Sequence, residues 1–221
     1  MPEATTPPRF DATPNRYVLP ADTKLHRVHD RKRRAAEFKP AQLNTGSPGS
    51  RFDGTEADPF ASYYAGLEST TALAETLLRN LGFGVDGQRL IRRAQIAGRR
   101  LSTVRTTREL NLVSLRTAPD LAAVGQDSWL IDSEGKDAYP KTQKWAAWIR
   151  SQADWAAGLI WPSKRDTGKL ALVLFGDRCG EEALDGDEPE VQIDLDTEIG
   201  EAWLNRMLKP YRAVVAPSPK R

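Results

Sequence analysis

The chain lacks most of the residues on which common enzyme chemistries depend. Its 221 residues include one cysteine, Cys179, and two histidines. A single cysteine excludes an intramolecular disulfide framework and any multi-cysteine metal site, and it fits a reducing, cytoplasmic setting. His26 and His29 would point to opposite faces of a strand, so we do not expect them to share a metal ion. No metal site is therefore predicted.

Motifs of the common hydrolases and nucleotide-binding enzymes are also missing. No G-x-S-x-G and no G-x-x-x-x-G-K string occurs in the chain, which excludes the usual nucleophile elbow and P-loop. Gly82–Gly87 reads G-x-G-x-x-G, but it follows a predicted helix instead of a strand, so it fails the structural test of a dinucleotide fingerprint. We interpret it as a helix-ending residue at Gly82 followed by a turn.

A strong net charge and long apolar runs are absent too. The formal net charge is +2, so the chain as a whole is not expected to bind nucleic acid. Seven arginines fall between Arg89 and Arg108, without an aromatic residue among them. Single-stranded nucleic-acid grooves usually combine charge with stacking rings, so this basic stripe is interpreted as a solvated strand face or a partner-binding surface. A non-enzymatic nucleic-acid or partner-binding module built on it stays open as a further hypothesis.

The domain organisation follows from composition. No apolar run approaches the length of a membrane span, and the Pro- and Thr-rich N-terminus is not a signal peptide. Residues 1–21 are predicted to be disordered or extended, residues 22–209 to form one domain, and residues 210–221 to form a flexible tail that frays. Within the domain, residues 44–54 are rich in Gly, Ser and Pro and are predicted to be irregular.

What is present is a mixed pattern of strands and helices. Tyr63–Ala65 suit a half-buried strand, Gly66 breaks it, and Ser69 is a good N-cap for an amphipathic helix whose leucines recur up to Leu81. Other predicted strands cover residues 24–29, 101–104, 110–115, 158–161, 170–175 and 191–195, and other predicted helices cover residues 119–124, 141–155 and 197–208. Strict β-α-β alternation is absent, so the fold class is predicted to be α+β.

One residue of the central helix permits two interpretations. Glu75 lies near the predicted helix start and one turn before Arg79. A solvated ion pair on the helix face would account for both residues. A functional carboxylate is the other interpretation, and it gains weight only from the rest of the chain.

Four segments resemble, in order, those of a known family. They are Leu25–Val28 in an early strand, Gly49–Asp53 in a glycine loop, Tyr64–Glu75 around the central helix, and Asp154–Arg165 around a strand that ends before a serine. This ordered set resembles the RES-domain family, the toxin component of bacterial Xre–RES toxin–antitoxin pairs. The resemblance spans about residues 22–177 and marks the predicted domain as a RES-like catalytic domain.

The resemblance assigns five site residues. The family's namesake arginine, glutamate and serine fall on Arg27, Glu75 and Ser163 as catalytic residues. Arg51 and Tyr64 match the loop arginine and the tyrosine ahead of the helix, and are implied to bind substrate. Taken singly, Arg27 could be a surface arginine, Tyr64 a core residue and Ser163 a turn residue.

Two positions depart from the family pattern. Ser50 stands where the family has a second glycine, and Asp53 where it has an asparagine. If that glycine needs a positive φ, Ser50 would be strained. Asp53 would bring a negative charge near an anion site.

The resemblance implies an ADP-ribosyltransferase-like fold of mixed sheets with flanking helices. It implies a toxin that degrades NAD⁺ by cleaving the nicotinamide–ribose bond, through phosphorolysis or hydrolysis, and inhibits growth unless its antitoxin is bound. NAD⁺ would be the substrate and inorganic phosphate an optional co-substrate, with no cofactor. An Xre-type antitoxin would be the partner and the only route to DNA, and a homo-oligomer within that complex stays open. The alternative is an ADP-ribosyltransferase that modifies a macromolecule, because the same site would serve both reactions.

The implied chemistry suits these side chains. Cleavage of the bond moves positive charge onto the ribose, and Glu75 would stabilise it, ionised with the help of a helix start. Arg27 and Arg51 would clamp the diphosphate with their forked donors. Tyr64 would stack on nicotinamide, and Ser163 would hydrogen-bond the substrate or orient Glu75.

Overall fold

The computed structural model of the protein describes residue 7 and residues 10–41, 49–186 and 189–218. The strands are β1 (Arg16–Leu19), β2 (Lys24–Asp30), β3 (Ser62–Gly66), β4 (Arg89–Ile91), β5 (Arg99–Thr106), β6 (Leu110–Ser114), β7 (Gly158–Pro162), β8 (Leu170–Phe175), β9 (Leu184–Asp185), β10 (Val191–Asp194) and β11 (Ala213–Val215). The helices are α1 (Ser69–Leu77), α2 (Arg93–Ile96), α3 (Ala118–Ala123), α4 (Trp129–Asp132), α5 (Tyr139–Gln152), α6 (Gly176–Cys179) and α7 (Glu198–Leu208).

One mixed sheet organises the described part of the chain. Its strands follow the order β1-β6-β7-β8-β3-β2-β5-β10, with β9 also paired to β5. Within this order β6 and β7 run parallel, and the other neighbours run antiparallel. The β4 and β11 strands form a separate parallel pair. The predicted α+β class and single domain are confirmed.

The middle of the sheet is covered on both faces. Ala171, Val173 and Phe175 of β8 pack into one core with Trp145 and Ile149 of α5. Leu172 and Leu174, the alternate residues of β8, pack into a second core on the other face together with Leu25, Tyr63 and Ile160. A third core lies between α1 and α7, and it includes Leu73, Leu77, Leu204 and Leu208. This is why β8 reads as a continuous apolar run.

The sheet opens between β2 and β3. These antiparallel strands pair only where His26 lies opposite Gly66. Continued pairing would place Asp30 opposite Ser62, but the register ends after the first pair, so the strands diverge along the rest of their length. Gly66 is the last residue of β3, and a Cβ there would approach the Cβ of Thr71 within 2.8 Å. The glycine therefore lets α1 begin directly against the strand, beside the gap.

The central helix differs from its prediction at both ends. Its N-cap is Glu68 instead of Ser69, and no side chain caps it. The helix ends at Leu77, and Asn80 with φ of 59°, instead of Gly82, adopts the left-handed conformation. Glu75 therefore lies in the last turn of α1, and the argument that a helix start favours its ionised form is wrong.

Several short elements lie where none was predicted, among them β1, β4 and β11. Arg16–Leu19 of β1 pair with β6, so this part of the N-terminal segment is extended but belongs to the sheet. Ala213–Val215 of β11 pair with β4 in the segment that was predicted to fray. Neither β4 nor β11 exceeds three residues, so neither shows an alternation from which a strand could be predicted.

Candidate functional site

A cleft of about 490 Å³ lies at the gap between β2 and β3. Four of the five predicted site residues line it, and each comes from a different element: Arg27 from β2, Arg51 from the glycine loop, Tyr64 from β3 and Glu75 from α1. The fifth, Ser163, follows β7 and reaches the cleft through Glu75. The fold thus brings the five residues together, while their roles in binding and catalysis remain predictions.

Glu75 is held by Ser163. The Ser163 hydroxyl donates a hydrogen bond of 2.6 Å to Oε1 of Glu75. The Ser163 hydroxyl oxygen itself accepts from the backbone amides of Arg165 at 3.2 Å and Asp166 at 2.9 Å, so the hydroxyl proton is left for the Glu75 carboxylate. Ser163 is only 3% exposed. These contacts favour the orienting role of Ser163 over direct contact with a substrate.

Arg27 is not a surface strand arginine. It is 8% exposed, and its guanidinium lies 4.6 Å from the centre of the Tyr63 ring. Nη1 donates a 2.5 Å hydrogen bond to the backbone carbonyl of Glu37. Burial lowers the pKa of Arg27, because removing the charged form from water is costly. Arg27 also lines the cleft, where a bound anion would offset that cost.

Arg51 is buried in a similar way, at 7% exposure. Its Nε donates to the backbone carbonyl of Ser133 at 3.1 Å, and its own carbonyl accepts from the Thr142 hydroxyl at 2.7 Å. Burial lowers the pKa of Arg51, and the carboxylates of Glu75 and Glu134 act in the opposite direction. The Arg51 side chain is thus held by the Ser133 carbonyl, with the Glu134 carboxylate 4.0 Å away.

The glycine loop accommodates Ser50 and Asp53, the two departures from the family pattern, without strain or an unpaired charge. Gly49 has a φ of +69°, whereas Ser50 is not among the described residues with positive φ, so no strain falls on Ser50. Asp53 is 5% exposed, and it accepts hydrogen bonds from the Ser50 amide at 2.8 Å and the Ser62 hydroxyl at 3.2 Å. Lys39 Nζ lies 3.5 Å from its carboxylate. The negative charge of Asp53 is thus engaged at the base of the loop.

Tyr64 joins that loop to β3. Its hydroxyl oxygen accepts a 3.0 Å hydrogen bond from the backbone amide of Phe52. Burial, together with the charge of Asp53, raises the pKa of Tyr64 well above its ordinary value, so the phenol is neutral. The hydroxyl is anchored in the loop while the residue lines the cleft, an arrangement that leaves the ring as the available surface.

Glu134 was missed by sequence reasoning. It lines the cleft, forms an ion pair with Arg165, and lies 3.9 Å from Lys164 and 4.0 Å from Arg51. It lies in the segment between α4 and α5, far along the chain from the family motifs. The only signal in the sequence that could have indicated such a carboxylate is the pair Lys164 and Arg165 after Ser163, because partly buried cations need a partner.

Arg79 also lines the cleft, and it was predicted only as a helix-face partner of Glu75. That ion pair does not form among the described residues. Its guanidinium instead lies 4.8 Å from the centre of the Tyr139 ring. The solvated-pair interpretation of Glu75 is therefore wrong, because Glu75 is half-buried and bound to Ser163.

The basic stripe has a different character. Three of its arginines form ion pairs with carboxylates: Arg93 with Glu201, Arg100 with Asp194, and Arg105 with Glu190. These pairs cancel much of the charge that a nucleic acid would need. Across the described ranges, no group of three or more His, Cys, Asp or Glu side chains could hold a metal ion. The same part of the chain contains no helix with the length and hydropathy needed to cross a membrane.

Comparison with known proteins identifies the family and a similar fold. A sequence model of the RES domain matches residues 24–196, which is well over half of the chain. Among solved structures, a chain of the crystal structure of the M. tuberculosis MbcT–MbcA toxin–antitoxin complex is similar, with a TM-score of 0.58 and 16% identity over 86% of this chain and 91% of that chain. A comparison with curated proteins gave no match. On the family match, with the fold in agreement, the chain belongs to the RES-domain family.

Proposed function

We propose that this RES-domain protein is a toxin that cleaves the nicotinamide–ribose bond of NAD⁺, by phosphorolysis or hydrolysis. One observation carries the proposal: two buried arginines, Arg27 and Arg51, and the carboxylate of Glu75 converge on one cleft from three separate elements. Cations that can bind a diphosphate thus lie in the same cavity as an acid that can stabilise a ribosyl cation.

Glu75 supplies the electrostatic part of the reaction. As the C–N bond breaks, the positive charge of the pyridinium moves to the ribose, and a fixed carboxylate beside that carbon stabilises it. The hydrogen bond from Ser163 holds the carboxylate in one orientation before the reaction begins, so little reorganisation is needed. The nicotinamide leaves as a neutral molecule, so no general acid is required.

The arginines and Tyr64 bind the rest of the substrate. Arg27 and Arg51 each give one donor to a backbone carbonyl, which fixes the side chain and leaves further donors for phosphate oxygens. Tyr64 offers its ring to the nicotinamide, because its hydroxyl is engaged by the loop amide. The substrate would thus be held at both ends with its scissile bond near Glu75.

An antitoxin is part of the proposal. The similar solved structure is that of a toxin–antitoxin complex, and unrestrained NAD⁺ cleavage would stop growth of the cell that makes the protein. We propose a cytoplasmic protein whose partner is an Xre-type antitoxin, with DNA contacted only through that partner. The number of toxin copies in such a complex can be measured from the mass of the complex in solution.

Product analysis tests the reaction. The purified chain without antitoxin is incubated with NAD⁺, with and without inorganic phosphate, and the products are separated and weighed by mass spectrometry. Nicotinamide with ADP-ribose 1-phosphate means phosphorolysis, and nicotinamide with ADP-ribose means hydrolysis. Label transferred from NAD⁺ to a protein assigns the alternative, a macromolecular ADP-ribosyltransferase. Absence of nicotinamide in both buffers overturns the proposal.

A further inference from the structure

Arg79 differs from the other two arginines of the cleft. Within residues 10–41, 49–186 and 189–218, none of the hydrogen bonds or ion pairs involves its guanidinium, whereas Arg27 and Arg51 each donate to a backbone carbonyl. The side chain lines the same cavity and is half-buried. It follows Glu75 by four residues. In the described part of the chain, a positively charged group without a hydrogen-bond or ion-pair partner thus lies at the edge of the proposed reaction site.

The side chain is nevertheless held in a defined position. The guanidinium carbon lies 4.8 Å from the centre of the Tyr139 ring, and Tyr139 is a buried residue at the start of α5. A guanidinium over an aromatic face keeps the donors at its edge free. The ring therefore supports Arg79 without using its hydrogen-bonding capacity.

Charges of both signs surround Arg79 in the cleft, which Arg51, Glu75 and Glu134 also line. Burial lowers the pKa of Arg79, and the nearby Arg51 lowers it further, while the charges of Glu134 and Glu75 oppose the change. Two neighbouring guanidinium groups repel each other, and a bound anion between them removes that repulsion. Charge-assisted hydrogen bonds from two arginines are the usual way in which proteins bind a phosphate group.

We propose that Arg79, together with Arg51, binds a phosphate group in the cleft. The inference rests on the proposed function and deepens it by naming a binding residue. The phosphate group has two sources: the diphosphate of NAD⁺, or free inorganic phosphate. In the second case a phosphate oxygen bonds to ribose C1, the C–N bond breaks, its electron pair stays on the nicotinamide nitrogen, and the phosphate's proton is released to solvent.

Calorimetric titration tests the inference without needing turnover. Inorganic phosphate and ADP-ribose are titrated separately into the wild-type chain, Arg79→Gln and Arg79→Lys. Loss of a charge-assisted hydrogen bond to phosphate corresponds to a weakening of about tenfold to a hundredfold in Arg79→Gln. Arg79→Lys keeps the charge and is expected to recover part of the affinity. Arg206→Ala, an exposed arginine outside the cavity, serves as the matched control and should bind as the wild type does.

The outcomes separate the two sources and the two proposals. Weakened phosphate binding alone assigns Arg79 to the acceptor, weakened ADP-ribose binding alone assigns it to the diphosphate, and weakening of both assigns a shared subsite. Unchanged affinity for both ligands, or no binding of either by the wild type, overturns the inference. If the wild type binds a ligand through Arg79 but releases no nicotinamide, only the proposed NAD⁺ cleavage fails. Melting temperatures of the variants confirm that each is folded.

Discussion

The basic stripe and the cleft are both rich in arginine, but the arginines of the two regions contact different kinds of groups. In the stripe, Arg100 lies 2.6 Å from Asp194 and Arg105 lies 3.0 Å from Glu190. In the cleft, Arg27 and Arg51 are held chiefly by backbone carbonyls and by an aromatic ring. The stripe's charge is cancelled by carboxylates, whereas among the described residues Arg27 forms no ion pair and Arg51 approaches only Glu134, at 4.0 Å.

Burial separates the two regions as well. The stripe pairs are partly exposed, and such surface pairs are worth about 0–1 kcal/mol each. Arg27 and Arg51 are at most 8% exposed, where an unbalanced charge is costly. The density of arginines along a sequence is thus a poor guide to where an anion binds. The partners that each guanidinium already has are a better guide.

The largest expected effect follows from removing the charge of Glu75. Glu75→Gln keeps an oxygen that can accept from Ser163, but it removes the negative charge that would stabilise the ribosyl cation. We expect nicotinamide release to fall by about a thousandfold, as when a preorganised electrostatic group is lost, with little change in melting temperature. The same exchange in the stripe, Asp194→Asn, should leave the rate unchanged. Equal losses in both variants would erase the distinction between the regions.

The next effect concerns the forked donors of Arg27. Arg27→Lys keeps the charge but loses the planar fork that binds two phosphate oxygens. We expect the KM for NAD⁺ to rise by about tenfold to a hundredfold. Arg100→Lys in the stripe should change the KM by less than about twofold, because its partner is a protein carboxylate. Steady-state kinetics of the two variants measure both KM values. An unchanged KM in Arg27→Lys would show that Arg27 does not bind the diphosphate through its forked donors.

Ser163 should have a smaller effect, on the rate more than on binding. Ser163→Ala removes the donor to Glu75, so the carboxylate loses its fixed orientation. We expect kcat to fall by about tenfold, the order of a poorly oriented catalytic group, while KM stays nearly constant. Ser163→Thr, which keeps a hydroxyl, should recover most of kcat. A Ser163→Ala protein that loses stability but keeps kcat would show that Ser163 serves only to stabilise the turn that follows β7.

The smallest expected effect is on the pH dependence of stability. Burial lowers the pKa of His26 and His29 from the ordinary 6.5, and around His29 the charges of Arg27 and Arg100 lower it further while Asp30 opposes them. The folded protein then binds fewer protons than the unfolded chain, so the stability from the neutral histidines is complete above about pH 6.5 and is lost as the pH falls through the lowered values. The melting temperature should decrease less on acidification in the double variant His26→Gln, His29→Gln than in the wild type. If the melting temperatures of the two proteins fell equally with pH, the histidines would not be the cause of the acid sensitivity.

Much of the fold could be predicted because its elements carry strong local signals. The apolar run of β8 and the tryptophans of α5 were sufficient to place both elements. The end of α1 could not be placed, because the leucine spacing continues to Leu81 while Asn80 turns the chain. The pairing of β4 with β11 depends on contacts between residues more than a hundred positions apart, which no local pattern reveals.

The candidate site divides in the same way. The five residues carried by family motifs come together in the structure, because the strands, the helix and the loop that carry the motifs pack around the gap between β2 and β3. Glu134 and Tyr139 belong to no motif, and they reach the cleft only because α4 and α5 pack beside the glycine loop. Arg79 was visible in the sequence, but its surroundings were not. The polar partners of a side chain are a property of the folded chain.

The most direct test of the central claim is a crystal structure of the Glu75→Gln variant with NAD⁺ bound. We expect the diphosphate between Arg27 and Arg51, the nicotinamide ring on Tyr64, and ribose C1 beside the side chain of residue 75. NAD⁺ bound outside the cleft, or bound within it with the C–N bond turned away from residue 75, would contradict the account.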